Sequence, residues 1–226
     1  MPINLSPMKT KDDFFRQNQR EILIGFCALL AVFVSWIFPG KLFGESFWSS
    51  FFLFLVFPGL IVLFLLKEPL KNFGLSWGNS KNGLIFSTLL VIIFVLINYF
   101  IVSNPGLRGQ LPVAPGIVEN YWYFLFFELL LALPLHFFWE FFFRGFLQFG
   151  LEKKIGIYSI FPQALLQTAL ALKGPWFFSA LIFSSSLGAG LVARKSRSIM
   201  YSFVSLWIIS VSLDIMIIRA IHQMAK

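Results

Sequence analysis

Seven apolar stretches, most of them about 17–22 residues long, follow one another along this chain with short polar links between them. Wound as α-helix, a stretch of that length covers about 30 Å, the thickness of a bilayer's hydrocarbon core. Lipid offers the backbone no hydrogen bonds, so each stretch must satisfy its own amides, which a helix does internally. The stretches are 22–38, 46–66, 84–102, 121–150, 155–172, 175–193 and 198–218. The expected fold is therefore all-α: a polytopic transmembrane helical bundle of about seven spans, with residues 1–21 preceding a membrane domain over 22–226. Hydrophobic residues make up 58% of the chain and charged residues 12%. The charged share is about half that of a soluble domain. A soluble fold of this size cannot bury that much apolar surface.

The fourth stretch is long enough to tilt or kink, and Pro134 is the expected kink point. Only Lys173-Gly174-Pro175 divides the fifth stretch from the sixth, which predicts a helical hairpin. Basic side chains collect on the cytoplasmic side of membrane proteins. With the N-terminus in the cytoplasm, twelve Lys and Arg residues fall inside: Lys9, Lys11, Arg16, Arg20, Lys67, Lys71, Lys81, Lys153, Lys154, Arg194, Lys195 and Arg197. Five fall outside, Lys41, Arg108, Lys173, Arg219 and Lys226, and Arg144 lies within the membrane. The first stretch has no small-x-small cleavage site and reads as a retained anchor. Trp48, Trp77, Tyr99, Trp122, Trp176 and Tyr201 fall near span ends, where amphipathic rings favour the headgroup layer. Short loops and a simple N-terminus favour a bacterial plasma membrane.

The net charge of +8 resides in the links between spans. Membrane topology and anionic lipid headgroups account for it. No basic stripe with interleaved aromatics lies in a water-facing segment, so nucleic-acid binding is rejected. Cys27 is the only cysteine, so no intrachain disulfide and no cysteine metal cluster can form. His136 and His222 do not stand at metal-ligand spacing, and neither a metal nor another cofactor is expected. The sequence shows no internal repeat, which weakens a transport reading.

Ionisable groups inside the fourth stretch carry the functional argument. Either Glu140 or Arg144 alone at mid-membrane would cost roughly 2.5–3.5 kcal/mol. Four residues apart on one helix, they lie on one face and neutralise each other. His136 precedes Glu140 by one more turn, so the three form a slanting polar stripe that must face protein or water. Two readings follow: an ion pair that glues helices together, or a polar cavity. Glu128 lies about 120° around the helix from Glu140 and is expected at the outer end. Gln163 and Gln167 form another i, i+4 pair suited to hydrogen bonds between helices. Ser184, Ser185, Ser186, Gly188 and Gly190 read as a small-residue packing surface. Asp214 is expected to pair locally with Arg219, and His222 to be solvated.

The run Trp139-Glu140-Phe141-Phe142-Phe143-Arg144-Gly145 resembles the first motif, Glu-Glu-x-x-x-Arg, of the CPBP intramembrane proteases, the CAAX-protease and bacteriocin-processing group. Pro69–Leu75 resembles the Phe-Gly-Leu loop before that family's core, and Gly188–Arg194 resembles its Gly-rich span. The resemblance covers about residues 69–214. It implies peptide-bond hydrolysis within the membrane. Glu140 matches the second Glu of the motif and Arg144 its Arg, while Trp139 stands where the water-activating Glu belongs. The later motifs should supply a His near 167–173, and a His and an Asn near 206–210; none is there. One expectation is thus a divergent endopeptidase acting on a membrane peptide through Glu140 and Arg144, helped by His136 or Gln167. Trp139, Gln163 and Asp214 would be further polar or wall residues. The alternative is an inactive relative whose cavity binds a membrane peptide, a lipid or a partner protein, and the residues alone favour it.

Overall fold

The computed structural model describes residues 11–38, 43–111, 113–114 and 116–224. Lys9, Lys41 and Lys226, and residues 1–10 of the 1–21 segment, lie outside the described residues, as do the side chains of Lys11 and Arg16. Among the described residues there is no strand. We number seven long helices: α1 (Lys11–Ile37), α2 (43–66), α3 (Ser80–Ser103), α4 (121–155), α5 (Ile160–Ala171), α6 (Trp176–Ser196) and α7 (Ile199–Met224).

By length and apolarity alone the described helices give six membrane-crossing runs, because Tyr121–Ala171 is a continuous run of 51 residues. That run folds back on itself. Gly156 takes φ +58°, a conformation that side-chain-bearing residues avoid, and the chain reverses there. Arg144 then meets Gln167, while Gln148 and Gln163 both close on Gly190. These partners sit at equal distances on either side of the turn, so α5 returns antiparallel to the second half of α4. The Lys173-Gly174-Pro175 hairpin reverses the chain again. Lys173 Nζ caps the carbonyl of Trp36 at 2.7 Å and lies over its ring, docking the hairpin on the end of α1.

After this second reversal α6 runs parallel to α4 in a fixed register. Arg144 bonds to Ser186, Gln148 to Gly190 and Glu152 to Arg194, so each rung is one helical turn beyond the last. Gly190 is what permits the middle rung. A Cβ there would stand 2.8 Å from Gln163 Nε2 and 2.9 Å from Gln148 Oε1.

Two of the widened, π-type helical turns have a covalent cause. Phe52–Val56 precedes Pro58, and Phe127–Ala132 precedes Pro134. Proline donates no hydrogen bond and its ring presses on the carbonyl four residues back. The chain adds a residue to the turn and bonds i to i+5, as Phe57 N to Phe52 O and Leu133 N to Glu128 O show. Ile61–Leu66 widens without a proline of its own, and so does the longest such turn among the described residues, Phe141–Phe149. Gly145 sits at its centre and packs against the backbone of Phe73, leaving a Cβ only 3.0 Å from that carbonyl.

The largest buried cluster is aromatic. Phe54 of α2 meets Phe142 of α4 with ring centroids 4.8 Å apart, and Phe73, Phe138, Phe143 and Phe146 close around them. Ile24, Ala28 and Ala31 of α1 cover this group. The outer faces are equally apolar: Phe26, Phe64, Phe100 and Trp122 are all more than half exposed. Continuous exposed apolar surface on long helices fits lipid as the surrounding solvent.

One end of the bundle gathers the links that follow α2, α4 and α6. Glu68 receives Arg20 Nε at 2.6 Å and Lys153 Nζ at 3.0 Å, and Arg20 also donates to the carbonyl of Gly150 at 2.5 Å. Glu152 holds Arg194 at 3.0 Å and Arg197 at 2.8 Å. Asn79 N bonds to Ser196 O, and Ile199 N to Gly74 O. Lys67, Lys71, Lys81, Lys154 and Lys195 stand on these same links or helix ends, whereas Arg108, Lys173 and Arg219 stand at the opposite end.

Burial by itself would raise the Glu68 carboxyl. Hydrogen bonds from Arg20, Lys153 and Asn72, with the Arg20 charge, outweigh it and hold the group at about 2 against an ordinary 4.5. A carboxyl depressed by folding adds stability that is complete above its unfolded value and is lost as pH falls through its folded one. Thermal unfolding of the detergent-solubilised protein should thus show a midpoint that declines as pH drops from about 4.5 towards 2. Glu68→Gln should flatten this decline and lower the midpoint at neutral pH.

Candidate functional site

The widened turn of α4 presents Glu140 and Arg144 to the interior. Their side chains are 1% and 0% exposed, and Arg144 Nη1 lies 2.7 Å from Glu140 Oε1. Ser202 Oγ of α7 reaches the other carboxylate oxygen at 2.6 Å. Arg144 Nη1 also donates to Gln167 Oε1 of α5 at 2.6 Å. Its Nη2 donates to Ser186 of α6, at 3.1 Å to Oγ and 3.3 Å to the carbonyl. One ion pair on α4 thereby touches α5, α6 and α7. Ser186 Oγ stands 3.0 Å from Gln163 Oε1 and 2.7 Å from Gln167 Oε1, and Gln163 Nε2 donates to the Ser186 carbonyl at 3.0 Å. Arg144 Nε has no partner.

A cavity of about 310 Å³ opens beside Glu140. His136, Trp139 and Glu140 of α4, Gln167 of α5, Ser185 of α6 and Asn98 of α3 contribute to its wall. Leu181, Leu206, Ile209 and Leu213 make most of the remainder apolar. His136 Nδ1 lies 2.9 Å from the carbonyl of Ala132, one turn back. A carbonyl only accepts, so Nδ1 carries the hydrogen, and in the neutral ring Nε2 is then the acceptor. Asn98 Nδ2 donates to Ile209 O at 3.0 Å and Ser212 Oγ at 3.2 Å, tying α3 to α7, while its Oδ1 has no partner.

The structure thus brings His136, Trp139, Glu140 and Gln167 to one chamber, with Arg144 directly behind Glu140 and Gln163 a layer further back. Asp214 is elsewhere. It reaches Glu128 across the α4–α7 contact, and among the described residues it forms no ion pair with Arg219. This corrects the local pairing expected on α7: the buried carboxyl of α4 lies nearer. Glu128 stands seven residues inside the start of α4, near the helix end where the sequence puts it, and is 2% exposed. The three serines of α6 also separate. Ser186 is a polar hub rather than a packing residue, Ser185 faces the cavity and Ser184 bonds back along its own helix.

Ser202 was invisible to motif reasoning. Its signal is periodic: Ser198, Ser202 and Ser205 recur at helical spacing and all are at most 1% exposed. Asn98 is a lone amide inside the apolar run of α3, where any polar side chain needs a protein partner.

As chemistry, the arrangement is better built to hold charge than to move a proton. A general base must have a free lone pair within reach of water. Each Glu140 oxygen keeps a further lone pair, but Oε1 is held 2.7 Å from a guanidinium and Oε2 accepts from a hydroxyl, so the carboxylate is fixed as a counter-ion. Among the described residues, no three His, Cys, Asp or Glu side chains gather as a metal site would require. Comparison with protein-family models, with curated proteins and with solved structures gives no match to this chain.

Removing one member of a buried pair strands the other, at about 3–5 kcal/mol. Arg144→Ala should therefore destabilise far more than Ser202→Ala, which removes one charge-assisted hydrogen bond worth about 1.5–3 kcal/mol. The double replacement Glu140→Gln, Arg144→Met should recover much of the loss. Thermal unfolding in one detergent ranks the variants, and an Arg144→Ala midpoint equal to that of wild type would contradict the clasp.

Proposed function

We propose that this chain is a CPBP-like integral membrane protein in which the Glu–Arg pair serves as a clasp between helices. The cavity beside it is a binding chamber for a membrane peptide, a lipid or a segment of a partner membrane protein. The observation that carries this reading is the double engagement of Glu140, by Arg144 at 2.7 Å and Ser202 at 2.6 Å. Trp139 in place of the water-activating Glu supports it, as does the absence of histidine from α5 and from the cavity-lining part of α7. The wall is mostly apolar with a few polar groups, which suits a hydrophobic occupant oriented by hydrogen bonds.

Hydrolysis is the second reading, favoured by one observation: Glu140 and the acceptor Nε2 of the neutral His136 ring belong to the same cavity. In that reading His136 or Glu140 would take the proton of water, and Arg144 and Gln167 would offset the developing charge. A library of hydrophobic transmembrane peptides presented to the purified, lipid-reconstituted protein separates the two. Binding without cleavage above the level of Glu140→Gln is the expected result. Single-turnover cleavage that disappears in Glu140→Gln and His136→Ala would replace the binding reading with the hydrolytic one.

The gathering of basic links at one end supports a cytoplasmic N-terminus, with residues 1–21 inside and anionic headgroups opposite Lys67, Lys71 and Lys154. Short loops support a bacterial plasma membrane. A reporter fused at the N-terminus, or inserted between Lys153 and Gly156, should be active only in its cytoplasmic form. A reporter inserted near Gly109 should behave in the opposite way.

A further inference from the structure

A second site lies away from the chamber, at the end of the bundle opposite the basic links. After α3 the chain makes a single helical turn, Pro105–Arg108. Asn104 starts it by accepting from Gly106 N and Leu107 N, and Pro105 supplies the preset φ of a first helical residue. The turn brings Arg108 back over the end of α3, where its Nη1 donates to Val102 O at 3.4 Å. Arg219 stands near the end of α7. Lys173, the other basic side chain described at this end, is engaged with Trp36. Two arginines far apart in the sequence thus come to one pocket of about 570 Å³, between the ends of α3 and α7.

The other polar groups on its wall are Tyr99, Ser103 and Gln223, and each can donate a hydrogen bond. Gln223 follows Arg219 by four residues and shares its face of α7. Among the described residues no Asp or Glu lines the pocket. Arg219 also borders a neighbouring groove with Glu119, yet among the described residues no carboxylate lies within ion-pair distance of it. Two helices end here, and each carboxyl end carries about half a negative charge. Two guanidiniums exceed that, so the pocket keeps a net charge of about +1. Ile92, Leu96 and Tyr99 recur at helical spacing and are each more than half exposed. They form a stripe that leads from the pocket along α3 into lipid.

We infer that this pocket binds an anionic phospholipid of the phosphatidylglycerol type, with its phosphodiester between Arg108 and Arg219 and an acyl chain along the α3 stripe. A phosphodiester carries one negative charge, which matches the excess of the pocket. Guanidiniums pair with its oxygens through parallel N–H donors. Tyr99, Ser103 and Gln223 are partners for the hydroxyls of the glycerol headgroup. A zwitterionic lipid brings an ammonium as well, and the wall offers that cation no carboxylate. The site belongs to the leaflet opposite the one met by Lys67, Lys71 and Lys154, so the general attraction of the basic end does not account for it.

The test is native mass spectrometry of the detergent-solubilised protein, titrated with dioleoylphosphatidylglycerol and, separately, with dioleoylphosphatidylcholine. One phosphatidylglycerol should be retained with half-saturation at least ~10-fold below that of phosphatidylcholine. Arg219→Gln should weaken that preference, and Arg108→Gln with Arg219→Gln should erase it. Lys67→Gln with Lys71→Gln, at the far end, should leave it in place. Equal half-saturation of the two lipids in wild type would overturn the inference without any variant. A preference that survives in the double arginine variant, or that the lysine variant abolishes, would overturn it equally. Arg219 is exposed, so its single replacement leaves the buried clasp untouched. Inorganic phosphate in large excess should not displace the lipid; displacement would make this a free-phosphate site and overturn the lipid assignment.

Discussion

The buried Glu140–Arg144 pair is the constraint on which the rest of this bundle depends. A guanidinium fully withdrawn from water must find a counter-charge and acceptors for its donors. Here the counter-charge comes from the same helix, one turn away, and the acceptors come from two others: Gln167 on α5 and Ser186 on α6. Ser202 of α7 completes the carboxylate. Four helices that lipid alone would leave indifferent to one another are thereby tied at one level. Little hydrophobic force separates helix–helix from helix–lipid contact in a bilayer, so such polar ties and close packing decide which faces meet.

The register of the bundle follows from the same centre. Arg144–Ser186, Gln148–Gly190 and Glu152–Arg194 are successive rungs between α4 and α6, and they lead from the membrane interior to the basic end. At that end Glu152 and Glu68 hold the links together through Arg194, Arg197, Arg20 and Lys153. The pair also limits what the cavity can do. Arg144 stands 2.7 Å from one oxygen of Glu140 and Ser202 2.6 Å from the other, so the wall of the cavity at this point is a carboxylate fixed from two sides.

The two acid sites contrast in a way that makes physical sense. Glu140 has a cation built into its own helix and needs none from outside. Glu128 has another acid, Asp214, as its hydrogen-bonding neighbour across the α4–α7 contact.

Much of the fold was legible in the sequence because membrane spans are a matter of length and apolarity, and polar residues at i, i+4 share a face whatever surrounds them. The succession of long apolar helices, the hairpin at Lys173–Pro175, the grouping of basic links and the inward face of His136, Glu140 and Arg144 all follow from such local rules. The partners did not. Ser186 was one of three adjacent serines, Ser202 one of several on α7, and Asp214 had a nearer basic residue in sequence than the acid it meets in space. Which face of α5, α6 or α7 turns towards Arg144 depends on the reversal at Gly156 and on Gly190 letting two glutamines close. Periodicity along one helix determines which residues travel together; only the packing of helices against each other determines whom they meet.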